Sequence, residues 1–362
     1  MGCNFTILHL VGTRRQCTWA FLWSLTAVAC CVAGVGVIFL PRHIARLHAV
    51  PEVAVVDCRI CDAGQIAVML VRENMRGEER VQHRLVVHDL RRNPSARVDI
   101  ELPVEPACFA ASSQHRRLFV ADAIEGGIHA FDLSDIVHLR GCLGRHVQGV
   151  PHALACSPDE RTVVSLGSQE IYAWDPDHWM LRWCRCDERP ECMVVLPDSQ
   201  SMLCYTETTR SGRLIEIDLQ TGSTLQLVRP DVERIKRLTA SPDGHFVAAA
   251  VGVGRRVLLL EREPGGRLWR DHFFAELPTG SVDVIPAFSP RSDLVVLGHA
   301  DGRRLVVWDL ARAVPVWEIG DASEPALWGS TFLDQDTLLS WSKDGSISIW
   351  DLQEGDALRR SR

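Results

Sequence analysis

The sequence predicts an all-β chain, a seven-bladed β-propeller of four-stranded blades, preceded by one transmembrane helix. Three observations predict it: an acid that closes a β-branched strand seven times over, a polar turn ahead of each acid, and an uncharged apolar run near the N-terminus. A hydrophobic fraction of 46% with 23% charged residues in 362 excludes a disordered chain and supplies a core.

The N-terminal elements are a tail over residues 1–15 and a membrane helix or signal anchor over 16–41. From Cys17 to Leu40 there are 24 residues without a charge. As a helix they reach about 36 Å, against a hydrocarbon core of about 30 Å. Arg14 and Arg15 bound the run on one side and Arg42 and Arg46 on the other, while Trp19 and Trp23 lie near its start, where interfacial indoles are favoured. The alternative is a cleaved signal peptide at Ala27-Val28-Ala29, but the apolar run continues eleven residues past that point. Met1-Gly2-Cys3-Asn4-Phe5-Thr6 fits an acylation pattern, and Ala27-Val28-Ala29-Cys30 is a lipoprotein box without its leucine. The flanking arginines nearly balance. A short basic tail before a first span more often stays inside, so the expectation is a single-pass membrane protein whose large domain lies on the non-cytoplasmic side.

The net charge is −7, with arginine dispersed and only Lys236 and Lys343 as lysines. That distribution lacks the one-sided basic excess that phosphate binding needs, so nucleic acid is not an expected partner. Of thirteen cysteines, nine lie beyond the span. Cys58-Arg59-Ile60-Cys61 has a metal-like spacing, but Cys184 and Cys186 form a C-x-C rather than a second such pair, and a tetrahedral zinc site needs four ligands. The expectation is buried thiols acting as small hydrophobes, with no metal and no cofactor.

Residues 42–362 carry the repeat. Strands end in an acid at Arg84–Asp89, Gly127–Asp132, Glu170–Asp175, Arg213–Asp218, Arg256–Glu261, Arg304–Asp309 and Ser346–Asp351. Successive acids stand 43, 43, 43, 43, 48 and 42 residues apart, a four-stranded blade each time with one insertion. Ahead of each acid stands a strand ending in a polar turn, clearest in Ala240-Ser-Pro-Asp-Gly244, Cys156-Ser-Pro-Asp159, Leu196-Pro-Asp198 and Phe288-Ser-Pro290. Pro and Asp-Gly are what a tight antiparallel turn requires.

These residues resemble the WD40 family. Trp174-Asp175, Trp308-Asp309 and Trp350-Asp351 match its Trp-Asp pair, Asp89, Asp132, Asp218 and Glu261 hold the acid alone, and Ser-Pro-Asp-Gly matches the turn. The resemblance implies a seven-bladed propeller that offers surfaces to protein or peptide partners and performs no chemistry of its own. No blade carries the family's Gly-His pair before its first strand, so the family's histidine hydrogen-bond network is not expected here.

Closure follows from length. Only eleven residues remain after Asp351, and Asp356–Arg362 makes a poor strand, whereas Arg42–Val50 stands before the first inner strand as Ala313–Gly320 stands before a later one. The N-terminal segment is therefore expected to supply the outer strand of the seventh blade and remove an open edge.

No G-x-x-x-x-G-K, H-E-x-x-H, G-x-S-x-G or G-x-G-x-x-G occurs, and Gly252-Val-Gly254 lacks a third glycine. No catalytic residue is assigned. The alternative is a quinoprotein-like or lactonase-like enzyme, suggested by Asp218-Leu-Gln-Thr-Gly222 and by Trp183, Trp269 and Trp317, each eight residues past a repeat acid. For a binding module, the first residues of the inner strands ring the central opening. Four residues before the turn-marking position these are Val56, Ala107, His152, Glu191, Lys236, Val284 and Trp328. His152, Glu191 and Lys236 on consecutive blades, with Trp328 across the ring, form the candidate partner site; the plain alternative is that they are ordinary strand-end residues.

Overall fold

The structure is a computed structural model that describes residues 42–47, 53–61, 66–74, 81–89, 97–100, 104–112, 117–133, 138–186, 189–207, 212–252, 256–263, 268–276, 286–298, 303–320, 327–342 and 346–353. The apolar run 17–40 lies outside them, and among the described residues no helix is long and apolar enough to cross a membrane. Residues 40–362 form one compact unit.

That unit begins with β1 (Arg42–Leu47) and continues through seven antiparallel four-stranded sheets. Blade one holds β2 (Val53–Cys61), β3 (Ile66–Asn74), β4 (Val81–Asp89) and β5 (Arg97–Ile100); blade two holds β6 (Pro106–Ala111), β7 (Arg117–Asp122), β8 (Gly127–Asp132) and β9 (His138–Arg145). Blade three is β10 (Ala153–Cys156) to β13 (Met180–Arg185), by way of β11 (Val163–Leu166) and β12 (Ile171–Asp175). Blade four runs β14 (Arg189–Val195), β15 (Ser201–Glu207), β16 (Gly212–Asp218), β17 (Thr224–Val232), and blade five β18 (Ile235–Ala240), β19 (Phe246–Val251), β20 (Arg256–Arg262), β21 (Trp269–Glu276). Blade six is β22 (Ala287–Phe288), β23 (Leu294–Gly298), β24 (Leu305–Asp309) and β25 (Val314–Ile319). Blade seven takes β26 (Leu327–Phe332), β27 (Thr337–Ser342) and β28 (Ile347–Asp351) from the end of the chain and β1 from its start.

Closure is as the lengths predict. β1 pairs with β28, Arg42 opposite Asp351 and Leu47 opposite Ile347. The first strands of successive blades lie side by side all the way round, with β26 returning to β2, and together they line the centre of the ring.

The middle strands are covered by a neighbouring blade on each side, which is why they read as unbroken apolar runs rather than alternating ones. In β15, Met202 and Cys204 pack toward blade three, while Leu203 and Tyr205 pack toward blade five. In β3, Val68 and Leu70 meet blade two, and Ala67, Met69 and Val71 meet blade seven. The core is thus a series of clusters between blades.

The repeat acids end the third strands, and Asp175, Asp218 and Asp351 hold the turn that follows. Asp175 accepts from the amides of Asp177 at 3.1 Å and His178 at 3.0 Å, Asp218 from Gln220 and Thr221 at 2.9 and 2.8 Å, and Asp351 from Gln353 at 2.8 Å. Such side-chain turns explain why an acid rather than any polar residue recurs there. Arginines of the fourth strands add ion pairs, Arg182 to Asp175 at 2.6 Å and Arg270 to Glu261 at 2.9 Å.

Candidate partner-binding site at the centre of the ring

The innermost strands share an irregularity. The register slips by one residue at Val56 in β2, Ala107 in β6, Glu191 in β14, Lys236 in β18 and Trp328 in β26. In blade three, His152 just precedes β10, and its N–H donates at 2.9 Å to Leu166 O, the residue that also faces Ala153. Each is a bulge position, where two residues oppose one; a bulge interrupts the alternation and re-aims a side chain. They coincide with the positions counted from the sequence in six blades. Val284 of blade six and the Trp328 side chain lie outside the described residues.

Charge gathers on one arc of this ring. Glu191 of blade four is paired with Arg234, just ahead of β18, at 2.7 Å, and the hydrogen bond that Arg234 donates to that carboxylate holds its guanidinium above its usual basicity. Glu233 meets Arg256 at 2.9 Å. Lys236 is half-buried and Arg237 exposed. His152 is open to solvent on one side yet hemmed in by the wall of the ring; that crowding lowers its pKa, while Glu191 and the Pro190 and Glu191 backbone oppose the shift.

Two cysteines lock the bulges to the next blade. Directly after the bulge in blade two, Cys108 donates to Pro151 O at 3.5 Å, and directly after the bulge in blade four Cys192 donates to Ile235 O at 3.4 Å. Burial pushes both thiols up to about 12, so they stay protonated donors. This donor role goes beyond the small-hydrophobe role expected of them. The expectation of uniformly buried thiols also needs correction, because Cys142, Cys184 and Cys186 are exposed at outer-strand positions. The Cys61 side chain lies outside the described residues, and among those described no three His, Cys, Asp or Glu side chains converge as metal ligands.

A second correction concerns the histidine network. In blade three, Trp174 Nε1 donates to Ser165 Oγ at 2.9 Å, and the same oxygen stands 2.7 Å from His146 Nε2. His146 Nδ1 lies 3.3 Å from Glu170 Oε2. Ser165 Oγ thus stands between the indole, which can only donate, and the imidazole, whose other nitrogen faces Glu170. The missing Gly-His pair hid this: His146 follows Gly144-Arg145, yet it stands in the same place before the first strand. In blade seven, Trp350 Nε1 likewise donates to Ser340 Oγ at 2.9 Å.

The D-x-x-T-G turn of blade four has a structural partner. Trp183 of blade three lies over Gly222 so closely that an added Cβ there would stand 2.7 Å from its ring, and its Nε1 donates to Leu219 O at 2.8 Å. Trp269 donates to Glu216 at 3.1 Å, and Trp317 is buried within β25. Trp183 and Trp269 thus join neighbouring blades.

With the fold in place, the chain compares as follows. The β-propeller domain of Cps50 (Swd1) from Myceliophteria thermophila superposes with a TM-score of 0.67 at 13% identity, covering 86% of this chain and 99% of that one. NACHT domain- and WD repeat-containing protein 1 of Homo sapiens is 39% identical over 61 residues, which is 17% of this chain and 4% of that protein. The match thus spans a small part of that relative's length. No protein-family model matches the chain. The likeness in structure agrees with the fold described above, a seven-bladed β-propeller.

Proposed function

We propose that the chain is a protein-interaction platform, with no chemistry of its own, that takes a protein or peptide partner at the ring of bulges. The observation that carries this is the recurrence of the bulge in blade after blade at the position bearing His152, Glu191, Lys236 and Trp328. A bulge re-aims the side chain at its position, and here it recurs at one place in the innermost strands. The resemblance of the fold to WD repeat proteins supports the same reading. With Arg234 and Arg256 each paired to a glutamate, Arg237 is an exposed cation on this arc, and an acidic segment is the partner chemistry it fits. Lys236→Glu with Trp328→Ala should abolish capture of the partner that the parent chain retains; retention at parental strength would overturn the reading. Dispersed arginine and a net charge of −7 argue for a protein rather than a nucleic-acid partner.

The platform is anchored, in this reading, by residues 17–40 as a single-pass helix, with the propeller on the non-cytoplasmic side. An uncharged span of 24 residues inserts rather than adheres. The protein should therefore stay with membranes through alkaline carbonate, and protease protection of a C-terminal tag fixes the side. A second reading, a quinoprotein-like or lactonase-like enzyme, draws on the packing of Trp183 over the Asp218–Gly222 turn. The visible absorbance of purified protein separates a quinone-bearing enzyme from a colourless binding module.

A further inference from the structure

On the face opposite the bulges, the turns between first and second strands are stitched together by side chains. The turns are Ser157-Pro-Asp-Glu160 in blade three, Leu196-Pro-Asp-Ser199 in four, Ser241-Pro-Asp-Gly244 in five and Ser289-Pro-Arg-Ser292 in six. The fourth residue of each is left-handed, with φ of 58° at Glu160, 57° at Ser199, 74° at Gly244 and 58° at Ser292. That conformation brings its side chain back to the preceding blade. Ser199 Oγ accepts from the Asp159 N–H at 3.0 Å and Ser292 Oγ from the Asp243 N–H at 3.1 Å. Glu160 accepts from the Ser112 hydroxyl, and Gln335 Oε1 of blade seven accepts from the Arg291 N–H at 3.1 Å. A side-chain oxygen of the next blade therefore closes the junctions two–three, three–four, five–six and six–seven.

The junction between blades four and five is different. Its fourth residue is Gly244, which has no oxygen to offer, and the Asp198 N–H of the facing turn has no intramolecular partner among the described residues. A half-open cavity of about 200 Å³ lies there, lined by Pro197, Asp198, Asp243, Gly244, His245 and Arg262. Arg262 is engaged behind it, 3.3 Å from Asp198 and 3.4 Å from the buried Glu216, with its Nε left unpartnered.

We propose that this gap is a second binding site, which takes a serine or threonine side chain of a partner peptide in the place of the missing clasp. A hydroxyl accepts the Asp198 N–H as Ser199 and Ser292 accept theirs, and it donates to the Asp198 or Asp243 carboxylate. A carboxylate ligand would meet Asp198, Asp243 and Glu263 around an arginine already shared by two acids. An amine has no lone pair to offer once protonated. The site is independent of the ring of bulges and lies on the other face.

The fold itself provides the blocking variant. A Cβ on Gly244 would stand 3.5 Å from Pro197 Cδ, an ordinary contact, and three sister turns hold non-glycine residues at nearly the same φ. Gly244→Ser should restore the clasp and fill the gap, with Gly244→Asn as the substitute should the serine variant not fold, since asparagine also tolerates left-handed backbone. The full chain, selectively labelled with ¹⁵N-aspartate and assigned at position 198 by Asp198→Asn, is titrated with Ac-Gly-Ser-Gly-NH2 and with Ac-Gly-Ala-Gly-NH2. A saturable shift of the Asp198 amide with the serine peptide, absent with the alanine peptide and lost in Gly244→Ser, is expected. No saturable shift, an equal response to both peptides, or a response that survives in the blocked variant would overturn the proposal.

Discussion

His146 and Glu170 face each other at 3.3 Å with both side chains shut away from solvent, one ahead of the first strand of blade three and the other in the turn between its second and third strands. Burial lowers the His146 pKa to about 4 against an ordinary value of 6.5, with Glu170 opposing and His152 assisting. The imidazole is therefore neutral in the folded protein near pH 7.

A histidine that binds its proton more weakly when folded makes the native state less stable wherever the unfolded chain is protonated. Stability is therefore full above pH 6.5, falls as pH drops from 6.5 to about 4, and then levels with respect to this group. The loss approaches roughly 3 kcal/mol. Denaturant melts across that window should show the slope, and His146→Gln, which keeps a polar side chain but cannot titrate, should flatten it.

Gly144 stands where Trp174 needs room, since an added Cβ would lie 2.4 Å from the indole ring. Gly144→Ala should displace Trp174 from Ser165 and lower stability by about 1–3 kcal/mol, as overpacking does. Gly149→Ala, at φ 97° with nothing within 4 Å of the added Cβ, reports backbone strain without overpacking, so melts of both variants separate the two effects.

Thiol reactivity should divide by position. Cys142 and Cys186 are exposed and should take iodoacetamide first, with Cys184 slower because its thiol is pushed up to about 11 by partial burial and by Cys186. Cys58, Cys192 and Cys204 are buried and should label only on unfolding, which peptide mass spectrometry resolves.

Deleting residues 1–40 should leave a folded ring, whereas deleting 1–50 removes β1 and bares the edge of β28. The longer deletion should melt at lower temperature and aggregate. Equal melting of the two would show that β1 contributes little to closure.

The blades are readable because an acid closes the third strand of each, and because strands covered on both sides must be apolar throughout. Asp175, Asp218 and Asp351 announce the turns that follow them, and length alone places the segment Arg42–Val50, of which Arg42–Leu47 forms β1. The histidine network was hidden because a linear motif demands Gly beside His, whereas the structure needs only an imidazole over Ser165. Bulges were hidden too: nothing in the composition of Val56, Ala107, Glu191, Lys236 and Trp328 marks them, and only their shared count from the turn did. The clasp between turns, absent at Gly244, depends on a left-handed residue of one blade reaching the amide of another, a relation between positions some forty residues apart.

Capture of the partner at the ring of bulges is tested most directly by site-specific photo-crosslinking in the cells that express the protein. A benzophenone side chain is placed at Lys236, on a bulge, and in a second protein at Leu227, half exposed on the outer strand of blade four. The account predicts a discrete partner adduct from position 236 that is absent from 227 and is lost on Trp328→Ala. Adducts from 227 alone, or equal adducts from both positions, would contradict it.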